Sequence, residues 1–222
     1  MNDYVFQWGV VWRAFPALMS GAALTLQITF LSMALGFVIA VPLALMRQSR
    51  GVLFAVGSGW VHIGRNTPCL FQIYVAYFGL TAFGINLSSY VATLLALTFN
   101  NASYLSENLR GAISSVPVQQ SSAARSLGMT RAQTFIRIIF PQALAFAWFP
   151  ITNTVMVAML NSSLGMVVGL QELSGTAAFE SSKSFRTFEF FAITALIYYV
   201  VAKFLLGLSW VGFRKISRNP AR

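Results

Sequence analysis

The chain is poor in the residues that make soluble enzymes. Of its 222 residues, one is cysteine, one is histidine and five are acidic. Cys69 alone can form no intramolecular disulfide and no thiol-based metal cluster. His62 alone makes a histidine-based catalytic relay an unpromising reading, and no acidic pair stands ready for general acid–base work. No Gly-x4-Gly-Lys-Ser/Thr stretch occurs, so a phosphate-cradling nucleotide loop is not expected here. Charged residues make up only 9%, against about 25% in a soluble domain. So few charges cannot cover a water-facing surface, which points to an integral membrane protein. The first twenty residues include Asp3 and Arg13 and lack a basic start before an apolar core, so no cleavable signal is expected.

What is present is apolar. Hydrophobic residues account for 57% and the mean hydropathy is +0.69. A spanning helix needs about 20 mostly apolar residues. Five windows meet this need, giving an all-α polytopic membrane protein: roughly Gly21 to Met46, Pro68 to Gly84, Tyr90 to Leu109, Leu144 to Leu164 and Glu189 to Trp210. "GVLFAVGSGWVHIG" reads as an interfacial lead-in to the second, and "QELSGTAAFESSKSFR" as an outer loop. The chain reads as one transmembrane domain over 1–222.

The net charge of +10 would suggest nucleic acid in a soluble protein. Here the basic residues cluster at the ends of apolar runs and read as orientation signals, with no nucleic acid implied. Arg47, Arg50, Arg65, Arg110, Arg125, Arg131, Arg137, Arg214, Lys215, Arg218 and Arg222 fall on one side of a five-span topology. Only Arg13, Lys183 and Arg186 fall on the other, and Lys203 lies within the fifth span. The excess predicts a cytoplasmic C-terminus and an N-terminus outside.

One segment is too polar to span. In "QQSSAARSLGMTRAQTFIRIIFPQAL", Val118 to Leu127 can form a short helix that Gly128 ends in the left-handed conformation. Thr130 and Gln133 have capping-box spacing for a second helix, and Pro141 marks the bend into the fourth span. Ser121, Ser122, Ala123 and Ala124 give the first helix a low profile that a partner protein could approach closely, with Arg125 beside them as a further coupling candidate. An amphipathic connector lying on membrane lipid fits the same pattern.

Five stretches in order resemble the polar amino acid branch of ABC-importer permease subunits. "SAARSLGMTRAQTFIRIIFPQAL" is similar to that family's cytoplasmic coupling loop through Ala123, Ala124, Gly128, Ile138 and Pro141, with Ser122 where the family has Glu and Phe140 where it has Leu. "GAALTLQITFLSMALGFVIAVPLALMRQS" resembles its first helix, "GRNTPCLFQIYVAYFGL" its Arg-Gly-Thr-Pro segment with Asn66 for Gly, and "NNASYLSENLRGAISSVPVQQ" its Ala-x-Tyr-x-x-Glu-x-x-Arg stretch. "LNSSLGMVVGLQEL" resembles its Lys-Asp-Thr-Ser-Leu stretch, with Leu160 and Asn161 where the family has Lys and Asp. The resemblance implies the type I ABC importer permease fold, in the bacterial inner membrane, with a coupling loop over about 111–142. It also implies ATP-binding subunits, a second permease subunit and an extracytoplasmic amino acid binding protein as partners. This chain would be a transport subunit that binds no cofactor of its own.

Polar residues in the spans are the candidate pathway. Asn100, Ser103 and Glu107 recur at i, i+3, i+7 on one face of the third span. Asn153 and Asn161 are polar on the fourth, and Thr67, Pro68 and Gln72 stand at the entry of the second. Polar groups in hydrocarbon usually face the protein interior or a water-filled path, so interhelical hydrogen bonding and substrate contact are both open. Glu107 can pair with Arg110 or Arg65. Asn at position 161 predicts a polar amino acid that is not strongly cationic, with glutamate or aspartate ahead of neutral ones. A self-sufficient secondary transporter or channel is the alternative. It would need its own deep coupling charges and an inverted repeat, and only Glu107 and Lys203 are ionisable candidates.

Overall fold

The computed structural model describes residues 4–217, and no strand occurs among them. Nine α-helices follow in order: α1 Trp8–Met46, α2 Val52–Asn66, α3 Cys69–Tyr74, α4 Ser89–Ser114, α5 Val118–Ser126, α6 Arg131–Thr134, α7 Phe140–Ser162, α8 Leu173–Ser184 and α9 Thr187–Ser217. Helix α3 continues as a π turn over Val75–Gly79 and a 3-10 turn over Leu80–Phe83, closed by Gly84 at φ +79°. Stretches Trp8–Met46, Arg131–Val168 and Thr187–Lys215 are long and apolar enough to cross a membrane, and Cys69–Phe83 is a shorter apolar helix. Each of the five expected windows falls on helix.

Two boundaries depart from the sequence reading. Helix α1 begins at Trp8, well before Gly21, and runs through Arg13 and Pro16. Val11 and Leu18 are buried in a core with Leu173, Ala177 and Phe190, so packing overrides the local breakers. The expected outer loop is mostly helix α8, with Leu173, Ser174, Gly175, Thr176, Ala177 and Ser181 buried. Its small side chains allow close approach: a Cβ added at Gly21 would lie 2.8 Å from Thr176 Oγ1. The lead-in also forms a true helix, α2, with Gly57, Val61 and Gly64 as its buried face.

The chain divides into two compact units interleaved in sequence. One comprises 1–33, 67–98 and 156–205; the other comprises 34–66, 99–155 and 206–222. In the first, Val11, Leu18, Ala22, Leu173, Ala177, Phe190 and Ile197 form the main core, with a second around Ile28, Leu97 and Leu170. In the second, Ala112, Val116, Ala143 and Ala147 pack together, and Leu43, Val61 and Ala102 join parts of α1, α2 and α4. Many large apolar side chains are exposed, among them Phe30, Phe37, Val38, Leu45, Phe146 and Phe204. Lipid is the solvent in which such a surface is stable.

Candidate functional site

The polar segment between α4 and α7 is built as an elbow. Pro117 precedes α5, where its missing N–H costs nothing. At the other end, Gly128 has φ +82°, a conformation that penalises any side chain. It allows Gly128 N–H to bond Arg125 O at 3.0 Å and Met129 N–H to bond Ala124 O at 3.2 Å. Arg125 Nη1 reaches across the bend to Met129 O at 2.9 Å. The capping box then starts α6: Gln133 N–H donates to Thr130 Oγ1 at 3.2 Å, and Thr130 N–H to Gln133 Oε1 at 2.8 Å.

A π turn over Phe135–Ile139 follows, and Pro141 is the second residue of α7. The wider turn takes up the misfit of a proline inside continuous helix. Gln142 fastens the elbow, donating to Gln120 Oε1 and, at 2.8 Å, to Ile138 O.

Burial sorts the residues expected to meet a partner. Ser122, Ala123, Arg125, Gly128 and Pro141 are exposed, Ser121 is half-buried, and Ala124 is buried at 5%. Ala124 therefore belongs to the elbow's inner face. The sequence reading missed Leu127, which is 84% exposed at the bend, and Val118 at 70%. Two large apolar residues on an otherwise polar knuckle were visible in the sequence as breaks in its polarity.

The pathway candidates separate in the same way. Gln72 is buried and donates to Thr67 Oγ1 at 2.8 Å and to Thr67 O at 3.2 Å, bridging the helix break at Pro68. Asn100 is buried and donates to Gly64 O at 3.1 Å, and Ser103 is fully buried with its hydroxyl on Phe99 O at 3.0 Å. Their face of α4 packs on α2 so closely that a Cβ at Gly64 would lie 2.0 Å from Ser103 Oγ. Asn100 thus ties α4 to α2, Ser103 is packed against α2 while bonded within α4, and Gln72 and Thr67 close the break before α3. Asn153 is exposed and Asn161 half-buried, and neither makes a side-chain hydrogen bond among the described residues.

Two acidic residues organise more than the sequence indicated. Glu107 pairs with Arg47 and Arg110, and Arg65 approaches it at 3.9 Å; the Arg47 partnership was not anticipated. Glu172, read only as a loop acid, is completely buried at the N-cap of α8. Its Oε1 accepts Gly175 N–H at 2.7 Å, and its Oε2 accepts the hydroxyls of Thr25 at 3.0 Å and Tyr198 at 2.9 Å. Thr25 Oγ1 in turn accepts Leu173 N–H at 3.2 Å. One carboxylate thus links α1, α8 and α9. Burial raises its pKa above the ordinary carboxylate range, against the opposing pull of its hydrogen-bond donors. The helix cap could have been found from Glu three residues before Gly175 and next to a small-residue run.

Nothing in these clusters resembles nucleophile–base geometry. Their hydrogen bonds and ion pairs hold a helical scaffold together. Over residues 32–213 the chain matches the model for the binding-protein-dependent transport system inner membrane component. It is 36% identical to the octopine transport system permease protein OccM of Rhizobium radiobacter, covering 90% of this chain and 87% of that protein. It is 32% identical to the L-cystine transport system permease protein TcyB of Bacillus subtilis, covering 97% and 93%. A solved amino acid ABC transporter crystallised with histidines superposes with a TM-score of 0.90 at 31% identity, covering 96% of this chain and all of that one. The chain belongs to the inner-membrane components of binding-protein-dependent transport systems, the permease subunits of ABC transporters.

Proposed function

We propose that this permease carries a polar amino acid inward, with five spanning helices, an outer N-terminus and a cytoplasmic C-terminus. ATP is hydrolysed by a separate subunit, as in the family. The Ser121–Gly128 elbow docks on that subunit. The observation that carries the docking is an elbow with its backbone hydrogen bonds closed and Leu127 84% exposed at its tip. A rigid knuckle with an apolar tip suits a socket better than water. Ser122, Ala123, Arg125 and Gly128 form the surrounding contact surface, while Ala124 and Pro141 hold its shape. Two such permeases, identical or homologous, enclose one pathway, and an extracytoplasmic amino acid binding protein delivers the cargo. Among relatives, named cargoes are octopine, cystine and glutamine, which supports an amino acid or derivative here.

Asn153 and Asn161 are the pathway residues that remain available, since Thr67, Gln72, Asn100 and Ser103 are engaged in hydrogen bonds within the scaffold. Asn161 offers an amide and no charge. An unpaired cation would cost several kcal/mol there, so glutamate, aspartate or a neutral polar amino acid is favoured. Competition by unlabelled glutamate, glutamine, arginine and histidine against uptake by the whole complex tests this. Arginine or histidine as the best competitor refutes the cargo reading. Cross-linking from L127C to the ATP-binding subunit tests the docking independently.

A further inference from the structure

Glu107 sits among more positive charge than it can neutralise. Arg47 directly follows α1, Arg65 lies in the last turn of α2, and Glu107 and Arg110 lie near the end of α4. All four belong to one compact unit. Three guanidiniums facing one carboxylate leave a formal excess of two positive charges, since +3 − 1 = +2. Other acidic residues of the chain are Asp3, Glu172, Glu180 and Glu189; the three among the described residues are engaged in the other unit.

The guanidiniums are unequally used. Arg47 is mostly buried, its side chain 14% exposed, and its Nε is buried without a hydrogen-bond partner. Arg110 directs Nε to both Glu107 oxygens, at 3.2 and 3.3 Å, yet stays 39% exposed. Arg65 is 41% exposed and 3.9 Å from Glu107. Its guanidinium lies over the Tyr104 ring, 5.4 Å from the centroid, and among the described residues it donates no hydrogen bond. An arginine carries five N–H donors in a planar fork. Stacking fixes the plane of Arg65, and the ion pair fixes Arg110, so donors on both remain for a further acceptor.

We propose that Arg65 and Arg110, oriented by Tyr104 and Glu107, bind a phosphate group, supplied by the headgroup of an anionic membrane phospholipid. Phosphate matches the arginine fork in two-point contact better than a single-point acceptor does. Basic clusters at helix ends attract anionic headgroups at a bilayer surface. Val52, Val56, Trp60 and Ile63 leave an apolar face of α2 exposed beside the cluster, a surface suited to lipid. Glu107 then acts as a spacer: it keeps Arg110 and Arg47 from repelling one another and limits the net attraction to what one phosphate neutralises. The site does not depend on which amino acid is transported.

The test uses the complete importer purified in mixed micelles of phosphatidylglycerol and phosphatidylcholine. Native mass spectrometry counts the lipid retained by the wild type, R65Q, R65K and R65Q/R110Q. In pure phosphatidylcholine, thermal unfolding of R65Q should stay close to the wild type, because the Arg65 guanidinium donates no hydrogen bond among the described residues and meets Glu107 only at 3.9 Å. We expect selective retention of phosphatidylglycerol, at least a tenfold loss in R65Q and R65Q/R110Q, and a smaller loss in R65K, which keeps charge but loses the fork. Equal retention of the two lipids, or no difference between wild type and R65Q/R110Q, overturns the site. If saturating inorganic phosphate displaces the lipid completely and protects the complex equally in pure phosphatidylcholine, the phosphate site stands and its assignment to lipid is overturned.

Discussion

Replacing Glu172 probes the densest polar junction of the molecule. In Glu172→Ala, Gly175 N–H, Thr25 Oγ1 and Tyr198 OH all lose their acceptor. Tyr198 retains Ser174 Oγ at 3.1 Å, and the Thr25 hydroxyl can turn to its own helix. The Gly175 N–H has no comparable escape. A stranded buried donor costs about 1–3 kcal/mol, and loss of an N-cap side chain costs about 1 kcal/mol. The cap is the same Gly175 bond, so the two figures are not added, and the variant should lose about 1–3 kcal/mol.

Glu172→Gln keeps the shape and one acceptor oxygen for Gly175, and both hydroxyls can rotate to accept from its amide. It should lose about 1 kcal/mol. The two variants also differ from wild type in pH response. Because burial raises the folded-state pKa of Glu172, the native state holds this proton more tightly than the unfolded chain does. Its contribution is full below the unfolded carboxylate pKa of about 4.3 and is lost as pH rises through the elevated folded value. The stability difference between wild type and Glu172→Gln should shrink across that window as pH rises. The assay is thermal unfolding of the detergent-solubilised protein at a series of pH values. Equal melting of Glu172→Ala and wild type would refute the junction, and a pH-independent difference from Glu172→Gln would refute the raised pKa.

Other substitutions separate scaffold from surface. Leu127→Glu should leave melting unchanged and abolish transport-coupled ATP hydrolysis, whereas Ala124→Trp, on a buried position, should destabilise by about 1–3 kcal/mol before any effect on coupling is measured. Gly128→Val places a β-branched residue at φ +82° and should disorder the elbow while the chain still inserts, read as lost uptake with normal membrane levels. Gly64→Ala should cost about 1–3 kcal/mol through the collision with Ser103, and Ser103→Gly should restore much of it. For topology, N2C and A221C in a Cys69→Ser background lie outside the described residues; labelling of position 221 from outside intact cells would overturn the proposed orientation.

Composition alone decided the class of the molecule. With 9% charge and 57% hydrophobic residues, no arrangement of this chain could be water-covered, and lipid permits only closed hydrogen bonding, so helices were the expected outcome. The elbow was equally legible, because left-handed glycine and capping-box geometry are settled by residues within five positions of one another. Tertiary packing decided the rest. That α1 starts at Trp8 depended on Val11 and Leu18 finding a core. The burial of α8 depended on Gly21 lying against Thr176.

The same holds for the polar residues. Asn100, Ser103 and Gln72 carry the same hydrogen-bonding chemistry as Asn153 and Asn161, and nothing in their types says which face a neighbour. Only the close approach of α2 at Gly64 assigned the first two to helix packing. Arg47 and Glu107 stand sixty positions apart, and Thr25, Glu172 and Tyr198 lie on α1, the α8 cap and α9. An ion pair or a buried carboxylate depends on which distant residues share a dielectric environment, and that sharing is a property of the folded chain.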